Sequence, residues 1–158
     1  MIMILGKKTL KSVENKFFNY QKIKDAIIDA RAEQDSKGGF TGGNNGHSRV
    51  SDPTAIAALK HVTPLHYVTI KDGLWEIKVY DPEKWITIID YCFGVYGSTL
   101  TGQLVTRRYL KAESPEVTMG EMGISSKNTY YAWRDDFATL AVMLAVGDGI
   151  LDSAKILE

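Results

Sequence analysis

The spacing of apolar residues changes period twice along this chain, and that change narrows the fold more than any single motif does. From Lys8 to Gln34 neither proline nor glycine occurs, and Leu10, Val13, Phe17, Tyr20, Ile23, Ile27 and Ala30 recur at intervals of three and four. That is one stripe of an amphipathic helix, widened by Phe18 and Ile28. Between residues 66 and 80 the period drops to two. Tyr67-Val68-Thr69-Ile70 and Leu74-Trp75-Glu76-Ile77-Lys78-Val79-Tyr80 are rich in β-branched and aromatic side chains, with Lys71-Asp72-Gly73 between them. Asp-Gly between alternating segments is a hairpin signal. Helical spacing then returns. Asp81-Pro82 supplies a cap and a first-turn proline, and Trp85, Ile88, Ile89 and Cys92 form a stripe that Gly94 and Gly97 interrupt. Leu100, Leu104, Val105 and Leu110 point to a further helix through Lys111. The pattern predicts a mainly α-helical bundle with one small β-hairpin at 66–80 as its only sheet.

Three stretches are expected: an N-terminal amphipathic helix (1–36), a glycine-rich linker (37–50) and a helical domain (51–158). Five of the thirteen residues from Lys37 to Arg49 are glycine and two are asparagine, so this segment has much backbone entropy to lose and little to bury. It lacks the Gly-Lys-Ser/Thr of a phosphate-binding loop. Asp52-Pro53 then opens a short helix that ends near His61.

Charge and cysteine content exclude several classes. The chain has 158 residues, 19 basic and 19 acidic, and no net charge, which argues against a histone-like polyanion binder. Nine basic and five acidic residues lie in 1–50, so the N-terminal segment is the cationic part. Cys92 is the single cysteine and has no partner for an internal disulfide. No apolar run reaches the ~18 residues of a membrane span. Met1 to Leu5 is apolar, but too short for a leader core, and Lys7 and Lys8 come after it. A cytoplasmic location and no membrane are expected. His47, His61 and His66 do not make a metal pattern, and Asp135-Asp136 would diverge by about 100° on a helix. No Gly-x-Ser-x-Gly occurs either. The expectation is a non-enzyme without cofactor or metal.

The C-terminal part carries the most information. Ser114-Pro115 can open a two-turn helix through Met122, Gly123 is a natural left-handed cap, and Ile124 can plug the core behind it. Ser125 or Ser126 can cap a longer helix with Tyr130, Trp133, Phe137, Leu140, Ala141 and Leu144 on one face. Short helix, glycine turn, serine cap and long helix are the grammar of a helix-turn-helix at about 114–147. If that face is buried, Lys127, Asn128, Tyr131 and Arg134 face out towards a DNA groove. Lys and Arg suit phosphate or guanine, Asn suits adenine, and Tyr suits phosphate or a thymine methyl. Ser125 and Ser126 would bring hydroxyls and free N–H groups to a phosphate. Arg107, Arg108 and Lys111 would grip the DNA backbone. Acidic residues crowd the same region: Glu116, Glu121, Asp135 and Asp136.

The order of these features resembles the RinA-type family of phage-encoded transcriptional regulators. The resemblance rests on the long N-terminal helix, the glycine-rich stretch running into Ser51-Asp52-Pro53-Thr54-Ala55, and Thr63-Pro64-Leu65 ahead of Val68-Thr69-Ile70-Lys71-Asp72-Gly73. It continues through Pro82-Glu83-Lys84-Trp85-Ile86, Arg107-Arg108-Tyr109, Gly123-Ile124-Ser125 and Thr129-Tyr130-Tyr131. It spans nearly the whole chain in short elements. It implies a C-terminal helix-turn-helix similar to region 4 of bacterial sigma factors, binding to double-stranded DNA, and control of phage or prophage late genes such as those for packaging and lysis. RNA polymerase and a second copy paired through the N-terminal helix are further candidate partners. Two other readings stand beside it: a DNA-packaging protein like a terminase small subunit, and a protein-interaction module that does not touch DNA.

Overall fold

Asn19 divides the long N-terminal helical stretch in two. In the computed structural model, which describes residues 5–37 and 63–157, α1 (Lys7–Phe18) ends at this residue and α2 (Tyr20–Lys37) begins just beyond it. The Asn19 N–H and its side-chain Nδ2 both donate to the Asn15 carbonyl, at 3.1 and 2.8 Å. A side-chain donor that shares the i−4 carbonyl disturbs the helical ladder. The single N-terminal helix expected from the spacing is therefore two. The centre of its stripe is nevertheless the right one, since Val13, Phe17 and Ile23 are fully buried, whereas Phe18 and Ile28, expected to widen it, are exposed.

The described residues divide into two compact units, one from Met1–Gln21 with Lys84–Glu158, the other from Lys22–Glu83. Of the linker expected at 37–50 only Lys37 is described, and it is the last residue of α2 instead; residues 38–50 and the short helix at 53–61 lie outside the described residues, as do His47 and His61.

In the second unit, β1 (Tyr67–Asp72) pairs antiparallel with β2 (Trp75–Tyr80). Asp72 pairs with Trp75, so the two turn residues are Gly73 and Leu74, one step on from the Asp72-Gly73 turn that the sequence suggests. Gly73 at φ 63° occupies the first central position, which in a type II′ turn only glycine fills easily. Alternation places Val68, Ile70 and Val79 on the buried face and Tyr67, Thr69, Lys78 and Tyr80 on the open one. Lys22 of α2 donates to the Lys71 carbonyl at 2.9 Å. Glu83 accepts from the Leu65 N–H at 3.0 Å and is ion-paired with Arg31, which ties the chain before β1 to α2.

In the first unit, α3 (Pro82–Tyr96) buries Trp85, Ile88, Ile89 and Cys92 as the spacing predicts, from Lys84 onward. It runs through Gly94 and stops before Gly97. α4 (Leu100–Val105) starts at Thr99, whose hydroxyl accepts from the Gly102 N–H at 3.1 Å. Gly102 lies so close to α3 that a Cβ would stand 2.0 Å from the Tyr96 carbonyl oxygen. α4 then widens into a π turn, Thr106–Leu110, closed by the Lys111 N–H on the Thr106 carbonyl at 3.1 Å. Leu100 and Leu110 of the expected stripe are exposed, and Tyr109 is buried instead. α5 (Pro115–Met122) and α6 (Lys127–Gly147) complete the unit.

The core of this unit is aromatic. Phe17 meets Tyr109 and Phe137 with ring centroids 5.0 and 5.1 Å apart, and Phe93 meets Phe137 at 5.0 Å. α6 packs mainly on α4 and α1, and touches α5 through few residues. The described chain is thus mainly helical with one two-stranded hairpin. No described helix is long and apolar enough to cross a membrane.

Candidate nucleic-acid interface

The turn between α5 and α6 is built by local chemistry. Ser114 caps α5, accepting from the Val117 N–H at 3.3 Å, and Pro115 takes the first turn, where its missing N–H costs nothing. Gly123 ends the helix at φ 67°, ψ 29°. Its N–H returns to the Gly120 carbonyl at 3.4 Å and that of Ile124 to Met119 at 2.9 Å, the paired bonds of a Schellman motif. Ile124 is half-buried behind the turn.

Ser126 stands at the N-cap of α6 with extended backbone, but its hydroxyl makes no capping bond, and the first turn holds no acidic residue. The first N–H groups of α6 are therefore free to meet an external acceptor, as is usual where an anion docks. Ser125, Lys127, Asn128 and Tyr131 are exposed around this end, and Ser126 is half-buried. Lys111 is also exposed.

The three arginines expected at the interface are placed otherwise. Arg107 is ion-paired with Glu113 at 3.2 Å. Arg108 donates through Nε and Nη2 to Glu14 at 3.1 and 3.0 Å, and through Nη1 to the Tyr130 hydroxyl at 3.0 Å. Arg134 donates through Nε and Nη2 to Asp135 at 2.9 and 2.7 Å, and its Nη1 lies 3.9 Å from Glu14. The side chains of Arg108 and Arg134 are each only 14% exposed. Glu14 also accepts from the Tyr109 hydroxyl at 2.7 Å. Burial pushes the Tyr109 phenol up, and the Glu14 charge beside it adds to that. Burial by itself would lower the Arg108 guanidinium, but the Tyr130 hydrogen bond and the Glu14 charge outweigh it and hold the group above its ordinary range.

The register of α6 explains why Arg134 turns inward. At about 100° per residue, Lys127, Tyr131, Arg134, Ala138, Ala141 and Ala145 form one continuous stripe. Ala138, Ala141 and Ala145 are fully buried, Arg134 is largely so, and Lys127 and Tyr131 are exposed. The buried face is rotated by roughly 70° from the one expected. Trp133, Leu140 and Leu144 fall on its flank and are half-buried, while Tyr130 and Phe137 are buried as expected. So Lys127, Asn128, Tyr131 and Arg134 do not share one open face. The first three gather at the start of α6, and Arg134 belongs to the packed interior.

Glu14 escaped the sequence reading because its partners lie far along the chain. One signal was present: an acid immediately beside the Val13–Phe17 stripe of an amphipathic helix. No family model matches the chain, and no curated protein or solved structure matches it either.

Proposed function

We propose that the chain binds double-stranded DNA through the Gly123–Ser126 turn and the start of α6, as a helix-turn-helix regulator of the RinA type. The observation that supports this is the exposed group Ser125, Lys127, Asn128 and Tyr131 around an uncapped, acid-free helix start. Asn128 is the residue suited to an adenine edge, and Lys127 and Lys111 to phosphates. Arg107, Arg108 and Arg134 then act as braces, not as DNA contacts. Asp135 is neutralised by Arg134, so of the adjacent acid pair only Asp136 adds to repulsion at the surface. The resemblance to RinA-type regulators extends the proposal to control of phage late genes.

The test is binding to mixed duplex DNA over a salt series. Lys127→Ala should weaken binding on all sequences and reduce the salt slope by about one unit. Asn128→Ala should cost about 1–3 kcal/mol on the preferred site and little elsewhere. Duplex binding that is absent at every salt concentration would sink the proposal. It would favour the second reading, a protein-interaction module, which draws on the same three arginines being already paired.

A further inference from the structure

The open face of the hairpin carries a cluster of aromatic rings that pack on one another and stay partly exposed to solvent. Tyr67 and Tyr80 are cross-strand partners at the end of the ladder away from the turn, 44% and 51% exposed. Their ring centroids are 5.9 Å apart, and the exposed His66 ring lies 6.0 and 5.5 Å from them. The Lys78 ammonium stands 4.7 Å from the centre of the Tyr67 ring. Among the outward positions of this half of the hairpin (Tyr67, Thr69, Lys78 and Tyr80) there is no carboxylate; the one on that face, Glu76, sits opposite Lys71 near the turn.

We infer that this face is a stacking site for the bases of single-stranded nucleic acid. Exposed rings on a sheet give flat apolar surface to any base, and a lysine among them meets the neighbouring phosphate. A duplex keeps its bases stacked inside and has no free base face to offer these rings, so the ligand is a single strand or an opened end. The residues of this site lie in Lys22–Glu83 and those of the proposed duplex contact in α6, so separate substitutions test the two.

The experiment measures fluorescence anisotropy of labelled oligothymidine with the full chain, at low salt and then across a salt series. The chain should bind, and Tyr67→Ala should weaken binding roughly five- to 150-fold, the range for loss of one stacked base. Tyr67→Phe should bind like the parent, because the ring and not the hydroxyl does the stacking. Tyr67 and Tyr80 also brace the ladder, so Lys78→Glu serves as the second variant: it leaves both rings in place and should still abolish most binding. Lys127→Ala should leave oligothymidine binding unchanged while weakening duplex binding. No binding of oligothymidine by the parent chain overturns the inference. So does binding that survives Lys78→Glu and Tyr67→Ala but is lost in Lys127→Ala, or a chain that takes a proline-rich peptide and no oligonucleotide.

Discussion

Glu14 illustrates how one residue can decide what its neighbours are free to do. Its carboxylate accepts from Arg108 and Tyr109 and lies within reach of Arg134, so two arginines suited to phosphate are held inside the protein. Glu14→Gln keeps the shape and removes the charge, and should lower stability by about 2–3 kcal/mol, read as a drop in the urea midpoint with unchanged slope. Trp133 is a gentler case. Half-buried on the flank of α6, it should cost about 1–2 kcal/mol on truncation to alanine rather than the larger penalty of a core tryptophan. Cys92 carries the pH dependence. Burial pushes its thiol from 9.0 up to about 12, so the folded chain keeps a proton that the unfolded chain releases. That contribution is fully present below about pH 9 and is lost as pH rises towards 12; Tyr109 and Tyr96, also raised by burial, act in the same direction. The urea midpoint should therefore be lower at about pH 10 than at about pH 8, and Cys92 should stay unreactive to thiol reagents until the chain unfolds.

Among the elements, those with a local cause were legible in the sequence. The hairpin followed from alternation around a glycine, α3 from its proline and stripe, and α5 from Ser114, Pro115 and Gly123. The features that escaped depend on partners distant in sequence. The break at Asn19 needs a side-chain hydrogen bond that spacing does not reveal, and the rotation of α6 is set by the helices that pack on it. A stripe of alanines next to larger apolar residues is ambiguous until α1 and α4 are in place, and Arg134 was read as outward for that reason. Two glycines test the elements they join. Gly123→Ala puts a side chain into the left-handed region and should cost about 1–2 kcal/mol. Gly102→Ala should cost more, upwards of about 3 kcal/mol, because its Cβ would collide with the fixed Tyr96 carbonyl instead of a side chain that can move. A thermal melt of each variant ranks them, and equal melting temperatures would contradict the close approach of α4 to α3.

For the whole molecule, the balance of charge limits the kind of binding available. With three arginines in internal ion pairs, Lys111 and Lys127 are the cations of the expected interface that stay exposed, so duplex binding should show a shallow salt slope of roughly two units. A slope of roughly six or more would require the buried arginines to leave their partners. The same wiring sets a schedule for synthesis. Glu14 and Arg108 are 94 residues apart, and the core that closes around them needs α6 as well. A ribosome adding about 5–20 residues per second delivers Arg108 roughly 5 to 20 seconds after Glu14. During that interval α1 is in the open with its carboxylate solvated and the Val13–Phe17 stripe uncovered. The newborn chain therefore presents a sticky helix while those 94 residues are added, and it is in that window, more than in the finished fold, that chaperones would have reason to hold it.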